Sequence, residues 1–143
     1  EKLRIAGPAI AKRICFEVSE TAAATNMADV TLFIEQVHKL GVRIALDDFG
    51  SGAASFGYLK LLDVDYLKID GQFISNLDTD PLSAAAVRSF VDVANVLGIP
   101  TIAEFISSQE LRELVGEFGV DYVQGFAVNE PEPFGQLLAR KFP

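Results

Sequence analysis

Short apolar runs rich in β-branched residues alternate along the chain with longer stretches whose apolar residues recur at helical spacing. Arg13-Ile14-Cys15-Phe16-Glu17-Val18 predicts a first strand. From about Asn26 to Leu40, Val30, Phe33, Ile34 and Val37 fall on one helical face, and Gly41 stands where a C-terminal cap belongs. Val42-Arg43-Ile44-Ala45-Leu46 predicts a second strand ending in Asp47-Asp48. After a Gly/Ser/Ala loop come a short helix over Phe56 to Leu61 and a third strand over Asp65 to Asp70. Asp80-Pro81, an N-cap followed by proline at the first helical position, opens a long helix. It runs through Val87, Phe90, Val91 and Ala94 to a stop at Gly98. Pro100 to Glu104 predicts a fourth strand. Ser107 with Glu110 has the spacing of a capping box, with Leu111, Leu114 and Val115 facing inward before Gly119. A fifth strand over Asp121 to Gly125 and a short helix over Pro133 to Arg140 complete the pattern.

Strand and helix in regular alternation predict an α/β fold with a parallel sheet and right-handed crossovers. The 143 residues suffice for one ordinary domain but fall well short of the roughly 250 of a complete (β/α)₈ barrel. With 50% hydrophobic and 22% charged residues the chain is too apolar for disorder, yet no apolar run reaches the roughly 18 residues of a membrane span. A net charge of −8 argues against a broad surface for DNA or RNA phosphates. One cysteine permits no internal disulfide, and one histidine builds no Cys/His zinc cluster. Cys15 reads as a small buried core residue and His38 as a solvated one on a polar helix face. Glu1 is preceded by no methionine and followed by no signal-peptide core. The chain is therefore expected to be an excised or processed piece, cytoplasmic, with no membrane contact of its own. G-x-G-x-x-G and P-loop patterns are absent.

The strands share a habit: each is apolar, then bears polar groups near its carboxyl end. These are Glu17 and Glu20, Asp47 and Asp48, Lys68 and Asp70, Glu104, and Gln124. Parallel α/β folds bind ligands at that end of the sheet. Converging carboxylates repel and raise one another's pKa, a penalty that a divalent cation removes. All-oxygen donors of this kind suit Mg²⁺ or Mn²⁺, and a metal pair suits in-line displacement at phosphorus.

Five segments then resemble one family in order. Phe16-Glu17-Val18-Ser19-Glu20 is similar to the F-E-I-T-E of EAL-domain cyclic di-GMP phosphodiesterases, and Asp47-Asp48-Phe49-Gly50-Ser51-Gly52 to their D-D-F-G-T-G loop. Asp65-Tyr66-Leu67-Lys68-Ile69-Asp70 matches their D-Y-L-K-I-D outright. Ala103-Glu104 resembles the start of A-E-G-V-E, and Gln124-Gly125-Phe126 resembles Q-G-Y. The resemblance implies a modified TIM-type barrel, incomplete here, with about five βα units forming the C-terminal part of an EAL domain. It implies Glu17, Asp47, Asp48 and Glu104 as metal ligands, Glu104 also near the attacking water, and Lys68 on that water or the scissile phosphate. Gln124 would lie at the substrate end with Ser107 nearby. Glu20 would brace the loop Phe49 to Ser55, which in the family couples metal binding to activity and dimerisation. The implied reaction is hydrolysis of cyclic di-GMP to the linear dinucleotide.

Three departures qualify this. The E-A-L motif, with its Glu ligand, and the N-x-S strand with its Asn ligand are absent, so this chain alone is expected to be inactive. A-E-G-V-E reads Ala103-Glu104-Phe105-Ile106-Ser107, with Phe105 in place of Gly, read as core filler rather than a ligand-stacking group, and Ser107 in place of the second acid. Ala53-Ala54 stand where the family often has Tyr-Ser. A degenerate EAL domain that binds cyclic di-GMP or a protein without hydrolysis is the alternative. An open half-barrel with exposed strand edges is expected to associate, as a homodimer or with the missing N-terminal half.

Overall fold

The computed structural model describes residues 4, 5, 7–52, 56–133 and 136. A short helix α1 (Pro8–Ala11) leads into strand β1 (Cys15–Ser19), followed by helices α2 (Glu20–Thr25) and α3 (Met27–His38) and strand β2 (Arg43–Phe49). A 3₁₀ turn (Phe56–Leu61), β3 (Tyr66–Ile69), α4 (Gly71–Ile74), α5 (Pro81–Leu97), β4 (Thr101–Ala103), α6 (Gln109–Glu117) and β5 (Tyr122–Val123) follow. The strands pair in sequence order, β1-β2-β3-β4-β5, and every pair is parallel. The expected parallel α/β architecture is therefore present, and all five carboxyl ends lie on one side.

Alternation along the strands divides the sheet into two faces. Ile44, Leu46, Leu67 and Ile69 are completely buried on the helix-covered face. Arg43, Ala45 and Asp47 of β2, and Tyr66 and Lys68 of β3, occupy the other. Helix α5 forms as its sequence signals require. Asp80 accepts from the Leu82 and Ser83 amides at 3.0 and 3.1 Å, Gly98 closes the helix at φ 70°, and Val87, Phe90, Val91 and Ala94 are its buried stripe. The Phe90 ring meets Phe49 and Phe73 edge-on at 5.1 and 5.3 Å, tying α5 to the end of β2 and to α4.

Several expectations need correction. Ser108, not Ser107, caps α6: its hydroxyl accepts from Leu111 N at 3.1 Å. Cys15 is exposed rather than buried, because β1 is an edge strand and Cys15 shares a face with Glu17. His38 is only a quarter exposed, and its ring nitrogens lie 3.3 and 2.9 Å from the carboxylates of Asp63 and Asp65. Helix α2 was not expected, since Thr21-Ala22-Ala23-Ala24-Thr25 has no apolar periodicity. Ser19 caps it, and Ala23 anchors it by burial. The helix expected over Pro133 to Arg140 falls largely outside the described residues. Among the described residues, no helix is long and apolar enough to cross a membrane.

Candidate active site at the carboxyl ends of the strands

Lys68 stands at the centre of the carboxyl-end cluster. Its ammonium lies 2.8 Å from Glu17 of β1, 2.8 Å from Asp47 of β2 and 2.7 Å from Glu104, one residue past β4. An ammonium has three N–H donors, and three carboxylates lie within ion-pair distance of this one. The lysine side chain is only 3% exposed, whereas Glu17 is about half exposed. Burial pulls the Lys68 pKa down, but hydrogen bonds to Asp47, Glu104 and Glu17 outweigh it and hold the group above its ordinary value, firmly charged. Burial raises Glu104, and the charges of Asp47 and Glu17 add to the rise against the pull of Lys68.

A kink in β2 brings in the fourth carboxylate. Adjacent residues on a regular strand point to opposite faces, so Asp47 and Asp48 should diverge. Four residues of β2, Leu46 to Phe49, instead lie opposite three of β3, Leu67 to Ile69, and Asp48 adopts φ 55°. The bulge re-aims the strand end. One carboxylate oxygen each from Asp47, Asp48 and Glu104 then lie within 4.8 Å of one another. Desolvation, then the charges of Asp47 and Asp70, raise the Asp48 pKa. Four carboxylates and one lysine leave an excess of negative charge, and an all-oxygen donor set at this spacing fits a divalent cation.

Glu20 is only 2% exposed and turned away from that cluster. Its carboxylate accepts from the amides of Gly50 and Gly52 at 3.0 and 3.1 Å and from the Tyr58 hydroxyl at 2.8 Å. The carboxylate thus ties both flanks of residues 53–55, which lie outside the described residues. Burial and the Glu20 hydrogen bond push the Tyr58 phenol above its ordinary pKa. Asp70 does not join the cluster; it caps α4, accepting from Gln72 N at 2.8 Å. Gln124 and Ser107 do not touch Lys68 but line a cavity of about 310 Å³ beside Glu104, with Phe105, Ile106, Gly125 and Phe126. The β4 and β5 ends that form it are held by Gln124 N to Ala103 O at 2.8 Å and Ile106 N to Gln124 O at 3.1 Å. Gly125 is required there: a Cβ would sit 2.3 Å from the backbone of Ile106. Phe105 is not core filler, being 67% exposed at φ 57°.

The EAL domain family model matches residues 1–131. The chain belongs to the EAL domain family. Cyclic di-GMP phosphodiesterase PdeB of Shewanella oneidensis is 47% identical over 120 residues, 84% of this chain and 14% of that protein. The solved PaMucR phosphodiesterase, in complex with c-di-GMP, superposes with a TM-score of 0.81 at 34% identity, over 89% of this chain and 51% of that one. Klebsiella pneumoniae BlrP1, solved with calcium and cy-diGMP, superposes with a TM-score of 0.75 at 26% identity, over 85% and 30% of the two chains. This EAL chain thus spans about half the length of the solved PaMucR chain and about a seventh of PdeB. EAL domains are TIM-barrel-like, and the five parallel strands with their connecting helices superpose on them, in agreement with the expected architecture. Sequence reasoning placed Glu17, Asp47, Asp48, Lys68 and Glu104 at one end of this EAL sheet, where they are found. It missed Tyr58, whose sole signal was its position just after the loop, and Phe126 as a lining residue.

Proposed function

We propose that this chain is the C-terminal part of an EAL domain that hydrolyses one phosphodiester bond of cyclic di-GMP to the linear dinucleotide. The observation that carries the reading is the Lys68 ammonium within 2.7–2.8 Å of Glu17, Asp47 and Glu104, with Asp48 turned into the same cluster by the β2 bulge. Glu17, Asp47, Asp48 and Glu104 are the residues that would hold Mg²⁺ or Mn²⁺. Such an ion would neutralise the carboxylates, polarise the phosphodiester and acidify a bound water.

The remaining steps fall to the chain's own groups. Lys68 is held charged and oriented by its three carboxylates. On substrate binding it exchanges one of them for a phosphoryl oxygen or the attacking water, supplying positive charge where negative charge develops. Glu104, its pKa raised by burial, is placed to take a proton from that water. Gln124 and Ser107 present an amide and a hydroxyl to the substrate from the adjoining cavity. Glu20 holds the start of the loop after β2 through the amides of Gly50 and Gly52. We further infer that the free edges of β1 and β5 pair with another strand-bearing body, either a second copy or the N-terminal half of the barrel, in the cytoplasm.

The test is a hydrolysis assay on cyclic di-GMP with Mg²⁺ or Mn²⁺, run on this chain and on the full-length protein of which we propose it is a part. Turnover by the full-length protein, abolished by Asp47→Ala, and none by the chain alone, is expected. Micromolar binding without turnover in the full-length protein would favour the receptor reading. Neither binding nor turnover would refute both.

A further inference from the structure

Phe105 carries the inference. It is one of two described non-glycine residues with positive φ, at 57°, a conformation that costs a bulky residue energy. Its ring is nevertheless not packed into the core. The ring rests on Gly71 at the start of α4, so closely that a Cβ there would lie 2.1 Å from Cδ2 and 2.6 Å from Cγ. The residue remains 67% exposed. The ring is thus seated on backbone and still largely open to solvent, at the mouth of the cavity that Glu104, Ser107, Gln124 and Phe126 share. Phe126, 76% exposed, adds a second aromatic ring to the same cavity. Such a largely apolar cavity, with an amide and a hydroxyl in its lining and the carboxylate–lysine cluster at the Glu104 end, matches a nucleotide. A planar base in this cavity would lie beside Gln124 and Ser107, with its phosphodiester on the Glu104 and Lys68 side.

We propose that Phe105 is a base-stacking platform that determines the affinity of this site for purine nucleotides. The proposal rests on the cyclic dinucleotide reading above and deepens it. Base–aromatic stacking adds about five- to 150-fold to affinity per base. The strained backbone at residue 105 is the cost of presenting the ring there.

Calorimetric titration of cyclic di-GMP, in the presence of calcium, into the full-length protein and into its Phe105→Gly, Phe105→Tyr and Gly71→Ala variants tests it. Glycine relieves the positive φ, so Phe105→Gly is expected to keep or raise the thermal midpoint while weakening binding at least about fivefold. Phe105→Tyr keeps the ring and is expected to stay within about twofold of wild type. Gly71→Ala displaces an intact ring and is expected to weaken binding; the double variant Gly71→Ala/Phe105→Gly should then bind no worse than Phe105→Gly alone. Wild-type affinity in Phe105→Gly overturns the platform and leaves the cyclic dinucleotide reading standing. A full-length wild-type protein that binds no cyclic di-GMP overturns the reading itself, and the platform with it.

Discussion

Lys68 and Glu20 have opposite tasks at neighbouring strand ends, and each is nearly inaccessible to solvent. Lys68 holds three carboxylates together. Replacing it with methionine leaves Asp47 and Glu104 charged, close and without their counter-ion, at a cost of about 3 kcal/mol. Glu17 is half exposed and water screens it, so Glu17→Ala is expected to cost less than about 1 kcal/mol. Urea denaturation of the two variants in chelator checks the ordering. Glu20 instead holds a loop through two amides and a phenol, so Glu20→Ala strands buried donors. A loss of about 3 kcal/mol and faster proteolytic cleavage near residues 50–58 are expected. The residue types of both were legible in the sequence as charges closing apolar strands. The reversal of Asp48 was not, because it depends on a bulge that no local pattern announces, though aspartate tolerates the left-handed conformation better than most residues. Phe105 misled for a related reason: aromatic character argues for burial, whereas the backbone turn after Glu104 directs the ring outward.

At the level of elements, the ends of α3, α5 and α6 were readable to within a residue or two and their caps somewhat less so, whereas the short helices α1, α2 and α4 were not expected. Asp80-Pro81 and Gly98 delimit α5 because the cap, the proline and the glycine each act on the immediately adjacent backbone. At α6 two consecutive serines compete, and Ser108 is the one with extended backbone and its hydroxyl on Leu111 N. Ser108→Ala is therefore expected to lower stability by about 1 kcal/mol, and Ser107→Ala to leave it nearly unchanged, as measured by thermal unfolding. The α5 cap also predicts a pH dependence. Hydrogen bonds from the Ser83 hydroxyl and the Leu82 amide lower the Asp80 pKa. A lowered folded-state pKa gives stability that is full above the ordinary aspartate value of about 3.9 and is lost as pH falls through the folded one. The stability advantage of wild type over Asp80→Asn should accordingly shrink below about pH 4, a change that unfolding midpoints at pH 5 and pH 3 would show. Helix α2 was invisible because alanines and threonines declare no face; its stability comes from the Ser19 cap and the burial of Ala23, both of which depend on the rest of the fold.

The whole molecule places chemistry on one side of a five-stranded parallel sheet whose two edges, among the described residues, have no strand partner. Order and direction of the strands followed from simple alternation, since parallel neighbours joined by helices admit few topologies. Curvature and closure are long-range properties, and no local pattern encodes them. On the inner face, exposed Cys15, Arg43 and Tyr122 stand where a closed barrel has packed side chains, which is why association is expected; a monodisperse monomer in light scattering at working concentration would count against it. The central claim is that the four carboxylates and Lys68 form a cation-dependent site for cyclic di-GMP. Calorimetric titration of cyclic di-GMP into the full-length protein, with calcium and then with chelator, tests this most directly. Binding that appears with the cation, vanishes in chelator and is lost in Asp47→Ala is predicted; binding that is the same in chelator, or undiminished in Asp47→Ala, would contradict it.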